Sequence, residues 1–304
     1  MERLSDARLL LLTGVASVAT AVLLILVKCV AWYLSGSVAM LGSLVDSLMD
    51  GAASIVNLLA IRYALVPADA EHRFGHGKAE ALAGLGQSVL ILFSALFLLN
   101  ESTHRLVNPE PIEAPLLAVA VMVFATAATL LLLRLQHYTV KRTGSMAIAA
   151  DSLHYFSDVA MNIGIMVAII GAAYGVLWLD GVAGLLIALY VLRAAWKVGG
   201  EAVQLLLDRE MPADVRQVIA AVVARHPQVL GFHQLRTRQA GRTCFIQLHV
   251  DMDENLTLRE AHRLVDSIEQ GIRQQFPDAD VIIHQDPVQV SPQVALPKHQ
   301  STSE

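Results

Sequence analysis

Six long apolar stretches dominate the first two thirds of the chain. Each reaches the roughly 20 residues that an α-helix needs to cross the hydrocarbon core of a bilayer. They cover residues 9–33, 38–64, 80–103, 114–136, 145–172 and 178–200. Six spans return a chain to the side on which it started, so the pattern predicts a six-helix membrane unit over residues 1–208.

After Asp208 the pattern changes to shorter elements with one apolar face. A 3.6-residue period predicts an amphipathic helix, alternation predicts strands, and Thr257 with Glu260 has the form of a capping box. The predicted elements are helix 214–225, strands 229–238 and 243–253 around a turn at 239–242, helix 257–275 and strand 280–284. The order α-β-β-α-β predicts a small α+β domain over residues 209–290, with helices on one face of a sheet. Residues 291–304 are expected to form a disordered tail.

Charged residues at the ends of the spans predict the orientation in the membrane. Basic side chains precede the first span and follow the second and fourth, whereas the opposite loops are mainly acidic. The first group is Arg3, Arg8, Arg73, Lys78, Arg134, Lys141 and Arg142, and the second is Glu110, Glu113 and Asp180 against Arg105. By the positive-inside rule, both termini are expected to be cytoplasmic.

The composition agrees with an integral membrane protein that carries a soluble part. Of the 304 residues, 55% are hydrophobic and 16% are charged, whereas a soluble domain is nearer a quarter charged. A net charge of −5 without a Lys/Arg block gives no reason to expect a nucleic-acid partner. With only Cys29 and Cys244, a disulfide framework is excluded. The first apolar run is too long for a signal peptide and lacks a cleavage motif.

Two pairs of polar residues interrupt the second and fifth spans, Asp46 with Asp50 and His154 with Asp158. The i, i+4 spacing puts both members of a pair on one helix face. An ionised carboxylate at membrane depth is costly and marks a candidate functional site. Two such helices packed face to face would bring three carboxylates and one imidazole together, a four-ligand set of the kind that Zn²⁺ takes.

The alternative for these four residues is structural. Asp46 and Asp158 could cap helices or form ion pairs inside the bundle, and His154 could hydrogen-bond to a carbonyl. Matched spacing on two helices favours a metal site over these separate roles. Because the set lacks thiolate, it would bind metal less tightly than cysteine does and exchange protons as metal comes and goes. Such a site can release its metal.

A second group of candidate ligands lies in the polar loop between the second and third spans. Asp69, His72 and His76 provide imidazole and carboxylate at a density that can form a peripheral metal site. Short polar loops also collect such residues without binding a metal.

A third group comes from four predicted elements of the soluble domain. His284 and Asp286 point the same way along a strand, and His233 and His249 lie almost opposite across the hairpin. The group is His233, His249, His262, His284 and Asp286. Five potential ligands converging from four elements favour a metal cluster over surface histidines.

Together these residues resemble the cation diffusion facilitator family, over about Ser17 to Val290. The motifs that carry the resemblance are Ser43–Asp50, Ile61–Ala64, His72–Glu80, Ala150–Asp158, Leu207–Glu210 and Val281–Pro287. The resemblance implies a homodimer in the lipid bilayer, with six membrane helices per subunit. It also implies a cytoplasmic domain of the metallochaperone-like, ferredoxin-like kind.

The resemblance also implies a role for individual residues. It assigns Asp46, Asp50, His154 and Asp158 to the transport site, Asp69, His72 and His76 to a loop site, and His233, His249, His262, His284 and Asp286 to a two-metal site. Lys78 and Asp208 match a pair that links the membrane bundle to the soluble domain, and Leu153 matches a gating position. The ligand pattern is similar to that of zinc and cadmium carriers, so Zn²⁺ is the expected substrate, with Cd²⁺ and Fe²⁺ as further candidates.

We therefore expect a Zn²⁺/H⁺ antiporter of the bacterial inner membrane that exports cytoplasmic zinc by alternating access. Zinc is also expected as a structural or regulatory ion in the soluble domain, and protons as the coupling ion. A hydrolytic zinc centre needs an open coordination position and a general base. This chain has a full four-ligand set and no His-Glu-x-x-His motif, so an enzyme is not expected. A membrane-bound metal sensor that signals through the soluble domain is the alternative.

Overall fold

The computed structural model describes residues 2–35, 38–107, 116–174, 176 and 178–289. It divides into two units, Met1–Leu207 and Asp208–Glu304. The predicted tail at 291–304 and the acidic loop residues Glu110 and Glu113 lie outside the described residues.

In the described part of the first unit, six helices are long and apolar enough to cross a membrane, as predicted. They are α1 Glu2–Ser35, α2 Val38–Ala64, α3 Lys78–Val107, α4 Leu116–Thr143, α5 Met146–Ala173 and α6 Leu179–Leu206. Helices α4 and α6 continue past the predicted ends at residues 136 and 200. Apolarity defines only the part of a helix inside the bilayer, and polar residues extend these helices beyond it.

Glycines let neighbouring membrane helices approach closely. A Cβ added at Gly14 of α1 would come within 2.8 Å of Leu58 Cδ1 on α2. One added at Gly51 of α2 would lie 3.1 Å from Ile25 Cδ1 on α1. Small residues are the usual means of close helix packing in membranes. Helices α1 and α2 are therefore held close together beside Asp50.

A buried polar cluster joins five of the six helices. Its centre is Asp151 of α5, which is 2% exposed and accepts hydrogen bonds from Gln136 Nε2 at 2.7 Å and Gln87 Nε2 at 3.2 Å. The Asp151 cluster comprises Ser17 of α1, Ser54 of α2, Gln87 of α3, Gln136 of α4, and Asp151 and Tyr155 of α5. Buried polar groups of this kind are costly unless they are hydrogen-bonded, so the cluster favours one arrangement of the helices.

The second unit has the predicted order α-β-β-α-β. Its elements are α7 Ala213–Val223, β1 Gly231–Ala240, β2 Thr243–Asp253, α8 Leu258–Gln275 and β3 Ala279–Val288. The strand order is β1-β2-β3, with β1 antiparallel and β3 parallel to β2. The predicted capping box at Thr257 and Glu260 is present.

Strand β3 is longer than the predicted segment 280–284. It pairs with β2 as far as Val288, which lies opposite Asp253. A proline is tolerated there because β3 is an edge strand, where an N–H is not needed on the open side. The sequence did not predict the last residues of the strand, because they include Pro287 and alternate only weakly between apolar and polar. Their pairing with β2, which is distant in sequence, decides that they form a strand.

The two faces of the sheet differ in chemistry. Alternate residues of β2, Ile246, Leu248, Val250 and Met252, are buried with side chains of α7 and α8. Because successive side chains on a strand point to opposite faces, His249 and Asp251 lie on the other face. The helices therefore cover the apolar face, and the face without helices carries the candidate ligands.

Candidate metal centres

Three of the four predicted membrane ligands come together between α2 and α5. One ligand atom each from Asp50, His154 and Asp158 lies within 4.8 Å of the others. His154 Nε2 is 2.8 Å from Asp50 Oδ1 and 4.0 Å from Asp158 Oδ2. Two carboxylates and an imidazole at this separation can close around one divalent cation with small side-chain movements.

The fourth predicted ligand, Asp46, lies outside this group. It is exposed on α2, one helical turn before Asp50, and interacts with Asp50 electrostatically. The i, i+4 spacing puts both carboxylates on one face but at different heights along the helix. Of the two, Asp50 is the carboxylate that contacts His154.

Lys28 of α1 is a charged neighbour of this site that sequence reasoning missed. Its Nζ donates hydrogen bonds to Ser47 Oγ at 2.6 Å and to the Ser43 carbonyl at 3.1 Å. The signal was available, because a lysine inside a membrane span is itself a candidate functional residue. The role of Lys28 depends on which face of α1 packs on α2. The apolar pattern of α1 does not define that face.

Leu153, the predicted gating residue, precedes His154 on α5. It is partly buried and packs against a cluster of α3 and α6 side chains, namely Ile91, Ala95, Val191 and Ala195. A movement of α5 that repositions His154 would therefore also disturb the packing between α5 and the α3–α6 pair.

The three loop residues form a second group within 4.8 Å. Asp69 Oδ2 is 3.3 Å from His76 Nε2, and Asp69 Oδ1 is 3.5 Å from His72 Nδ1. The backbone N–H groups of His72 and Glu71 both donate to Asp69 Oδ1. The hydrogen bond from the His72 N–H is the main cause that lowers the pKa of Asp69 below its ordinary value, and the bond from Glu71 adds to it. The carboxylate is thus kept ionised and ready to bind a cation.

The buried His76 is held by two further contacts. Its Nδ1 is 3.3 Å from the Val66 carbonyl, and its ring packs edge-on against Tyr63. Only an N–H can bond to a carbonyl, so Nδ1 carries the hydrogen and Nε2 faces Asp69. Backbone hydrogen bonds orient metal-binding histidines in this way. Of the three loop residues, His76 therefore already has the ring orientation that metal binding requires.

In the second unit, strand pairing places three histidines in one row across the sheet. His233 of β1 pairs with His249 of β2, which pairs with His284 of β3. His249 Nδ1 lies 2.8 Å from Asp286 Oδ2, and His233 Nε2 lies 3.2 Å from the same oxygen. His284 Nε2 is 3.3 Å from Asp286 Oδ1. Asp286 is therefore the centre of a cluster with the three histidines.

The contacts of Asp286 affect its protonation. The hydrogen bond from His249 is the main cause that lowers the pKa of Asp286 below its ordinary value. A carboxylate that stays ionised among imidazoles is suited to a divalent cation.

Asp251 belongs to this cluster as well, although it was not predicted. Its Oδ1 is 3.4 Å from His233 Nε2, and it pairs with Asp286 in the next row of the sheet. A signal was present, since residues i and i+2 of a strand share a face and His249 precedes Asp251 by two.

His262 is not brought to the cluster within one chain. It is an exposed residue of α8, and its Nε2 is 3.6 Å from Asp266 Oδ2 on the same helix. Helix α8 packs on the apolar face of the sheet, whereas the cluster lies on the other face.

Lys78 and Asp208 belong to different units. Within the first unit, Lys78 Nζ donates to the Leu206 carbonyl at 3.2 Å. Within the second unit, Asp208 accepts a hydrogen bond from Arg238 at 3.3 Å.

The described residues form six membrane helices, with a group of Asp and His side chains between two of them. They also form a small α+β unit with its own cluster of Asp and His. Together these features define a class of membrane metal transporter. Residues 14–207 match the family model of the cation efflux transmembrane domain, and residues 211–288 match that of the cation efflux protein cytoplasmic domain. The chain belongs to this cation efflux family, the cation diffusion facilitators. It is a multi-pass membrane protein and a cation efflux transporter.

Its curated relatives include bacterial proteins named cation-efflux pump FieF. The protein of Shewanella oneidensis is 50% identical over 277 residues, which cover 91% of this chain and 94% of the relative. That of Cronobacter sakazakii is 50% identical over 285 residues, covering 94% and 95%. The recognition from sequence motifs is thereby confirmed.

Solved structures resemble the second unit. The metal-bound C-terminal domain of the CzcD transporter from Thermotoga maritima is 31% identical and covers 25% of this chain and 94% of its own, with a TM-score of 0.24. The zinc form of the putative zinc transporter CzrB is 33% identical and covers 26% and 92%, with a TM-score of 0.25.

Proposed function

We propose that this protein is a secondary antiporter that exports Zn²⁺ from the cytoplasm in exchange for protons by alternating access. The observation that carries the proposal is the group of Asp50, His154 and Asp158 inside the membrane helices, with ligand atoms within 4.8 Å of one another. Ionisable residues at this depth are expensive and mark ion pathways.

The ligand types support zinc as the substrate. Imidazole suits Zn²⁺, Cu²⁺, Fe²⁺ and Ni²⁺, whereas sites of carboxylate and water alone suit Mg²⁺ and Mn²⁺. One imidazole with carboxylates also fits Cd²⁺ and Fe²⁺, which are the further candidate substrates. Asp46 remains a proposed fourth ligand, reached by a side-chain or helix movement when metal binds.

The geometry around His154 supports proton coupling. The Nε2 atom is hydrogen-bonded to Asp50 at 2.8 Å, and the same atom lies 4.0 Å from Asp158 Oδ2. An N–H that donates to a carboxylate and a metal bound at that nitrogen exclude each other. We infer that the imidazole, between two carboxylates, carries hydrogen on both ring nitrogens before metal binds. Metal that binds at Nε2 then releases one proton, and protons entering from outside displace the metal.

The remaining predicted roles belong to the same transport cycle. Both termini are cytoplasmic and the bilayer is the bacterial inner membrane. In this cycle, Leu153 gates the site through its packing on α3 and α6.

The cytoplasmic cluster serves a homodimer in this proposal. Zinc bound by His233, His249, His284 and Asp286 stabilises the unit and holds two copies together. The sheet separates His262 from the cluster of its own subunit. A contribution from His262 to the two-metal site then has to come from the second subunit.

Flux measurements test the proposal. In proteoliposomes that contain a zinc dye and a pH dye, the wild-type protein is expected to move Zn²⁺ inward and protons outward. Asp50→Ala and Asp158→Ala should reduce zinc flux by more than about 100-fold, since losing even an outer-shell partner costs 10- to 100-fold in metal affinity.

Glu101→Gln is the matched control, because Glu101 is a carboxylate of a membrane helix that pairs with Arg105 in its own helix. It should leave flux near the wild-type level. Zinc flux without proton movement would remove the antiport claim. Zinc binding without flux in the wild type would favour the metal sensor.

A further inference from the structure

Lys28 is held next to the membrane metal site by two contacts with α2. Its ammonium donates to the buried Ser47 hydroxyl at 2.6 Å and to the Ser43 carbonyl at 3.1 Å. Ser47 lies between Asp46 and Asp50 in sequence. The ammonium interacts electrostatically with Asp46, Asp50 and Asp158.

The backbone keeps this lysine close to the carboxylates. Gly51, directly after Asp50, lies against Ile25, which precedes Lys28 by one helical turn. Helices α1 and α2 therefore meet at the level of the site. A long side chain that could turn away toward the membrane surface is instead fixed on α2 by hydrogen bonds.

We propose that Lys28 is the fixed counter-charge of the transport site, so that the site carries no net charge when it holds a divalent cation. This inference rests on the proposed transport of zinc through Asp50, His154 and Asp158, with Asp46 as the proposed fourth ligand. When metal is bound, the site holds the three ionised Asp carboxylates, a neutral His154 imidazole and the Lys28 ammonium. These groups leave two net negative charges, which a divalent cation neutralises.

Charge neutrality matters because the site lies inside a membrane protein. An uncompensated charge in a medium of low dielectric constant is costly, and a neutral assembly avoids most of that cost. The ammonium also repels the metal, so it limits affinity and helps the metal to leave. Without Lys28, the loaded site would carry one negative charge and hold Zn²⁺ too firmly.

The same charge count determines selectivity between cations of different valence. With Lys28 present, a trivalent ion leaves the site with a net positive charge. Without Lys28, three carboxylates neutralise a trivalent ion completely. Lys28 therefore favours divalent over trivalent cations.

Two substitutions of Lys28 in the full-length protein test the proposal, with His76, His249 and Asp286 replaced by Ala so that the membrane site is observed alone. Lys28→Gln is expected to tighten Zn²⁺ binding about tenfold, and to lower both the KM and the maximal rate of zinc flux. Tb³⁺, used as a trivalent probe, should compete with Zn²⁺ about tenfold better than in the parent. Lys28→Arg keeps the charge and should stay within about threefold of the parent in affinity.

One control variant separates the loss of the Lys28 charge from the loss of any lysine in a membrane helix. Lys197→Gln, which removes a lysine that is exposed on α6 beside Glu201, should change none of these quantities. Lys28→Met replaces Lys28→Gln if the latter does not fold.

The outcomes are distinct for the two proposals. If the parent protein moves no zinc, the transport proposal fails, whatever Lys28 does. If the parent transports zinc but Lys28→Gln and Lys28→Met bind Zn²⁺ no more tightly than Lys28→Arg, the counter-charge role is wrong. A loss of affinity for Zn²⁺ in these variants would also overturn the counter-charge role, since it would show that Lys28 maintains the structure of the site.

Discussion

At the residue scale, one contact recurs in all three candidate centres. A carboxylate lies within 3.3 Å of an imidazole nitrogen in Asp50 with His154, in Asp69 with His76 and in Asp286 with His249. In the two centres outside the membrane helices, the pKa of the carboxyl group is lowered. In each centre, the carboxylate lies where it would attract a cation, and its contact with the imidazole fixes the orientation of the ring that would bind the metal.

The lowered pKa of Asp286 predicts a specific pH dependence for the stability of the second unit without metal. A carboxyl group with a lower pKa in the folded state stabilises that state above its ordinary pKa, which is 3.8 here. This contribution is lost as the pH falls through the lower, folded-state value. In a fragment of residues 209–290 kept free of metal, the melting temperature should fall more steeply below about pH 4 in the parent than in Asp286→Asn.

Asp280→Asn is the control for that measurement, because Asp280 is an exposed carboxylate of the same strand. Its acid sensitivity should follow that of the parent. Equal slopes for the parent and Asp286→Asn would show that the histidine contacts of Asp286 do not stabilise the fold.

At the scale of elements, helix α5 carries both the structural and the transport groups. Asp151 is bonded to α2, α3 and α4 through the Asp151 cluster, and His154 follows one turn later on the same helix. The cluster thereby fixes the height and rotation of α5, and with them the position of His154 relative to Asp50. Stability and site geometry are coupled through this one helix.

Gln136→Met tests this coupling. It removes the donor to Asp151 Oδ2 while keeping a side chain of similar size, and it leaves a buried carboxylate with one bond fewer. The expected cost is about 1–3 kcal/mol of stability, with a lower zinc affinity at the membrane site. Thermal unfolding in detergent and zinc titration measure the two effects.

Thr103→Val provides the comparison, since the Thr103 hydroxyl bonds only to the Leu99 carbonyl of its own helix in the described structure. It should change stability by less than about 0.5 kcal/mol. Normal zinc affinity in Gln136→Met would mean that the cluster holds the bundle without positioning His154.

At the scale of the whole molecule, the two units differ in what their interiors contain. The membrane unit buries the Asp151 cluster among apolar helix contacts, whereas the second unit buries an apolar core that includes Leu248, Val250 and Ile268. The second unit therefore has a core of its own and metal ligands on its free sheet face. Metal that binds this folded face in preference to the unfolded chain stabilises the unit by mass action.

A fragment of residues 209–290 is therefore expected to bind Zn²⁺, to gain thermal stability and to dimerise more tightly with it. At a zinc concentration of 100 times the dissociation constant, the gain is about 2.7 kcal/mol. His249→Ala with Asp286→Ala should remove all three effects, as measured by titration, thermal unfolding and sedimentation.

His226→Ala is the matched control, because His226 bonds to Val222 and Ser267 away from the cluster residues. It should respond to Zn²⁺ as the parent does. The same zinc response in the double variant would identify the cluster histidines as surface residues without a metal role.

The sequence by itself determined the elements and the kinds of ligand. Apolar length defined six membrane helices, alternation defined β1 and β2, and Thr257 with Glu260 marked the start of α8. These signals are local, because helix and strand periods and caps act over a few neighbouring residues. The i, i+4 pairs in α2 and α5 also predicted that carboxylate and imidazole share a helix face.

Only the tertiary structure decided which of these residues meet. It brought Asp50 to His154, left Asp46 one helical turn away and set Lys28 on Ser47. It also added Asp251 to the histidine cluster of the second unit and kept His262 on the other side of the sheet. These outcomes depend on helix rotation, strand register and strand order. Each is determined by packing between segments far apart in the chain, which no local period encodes.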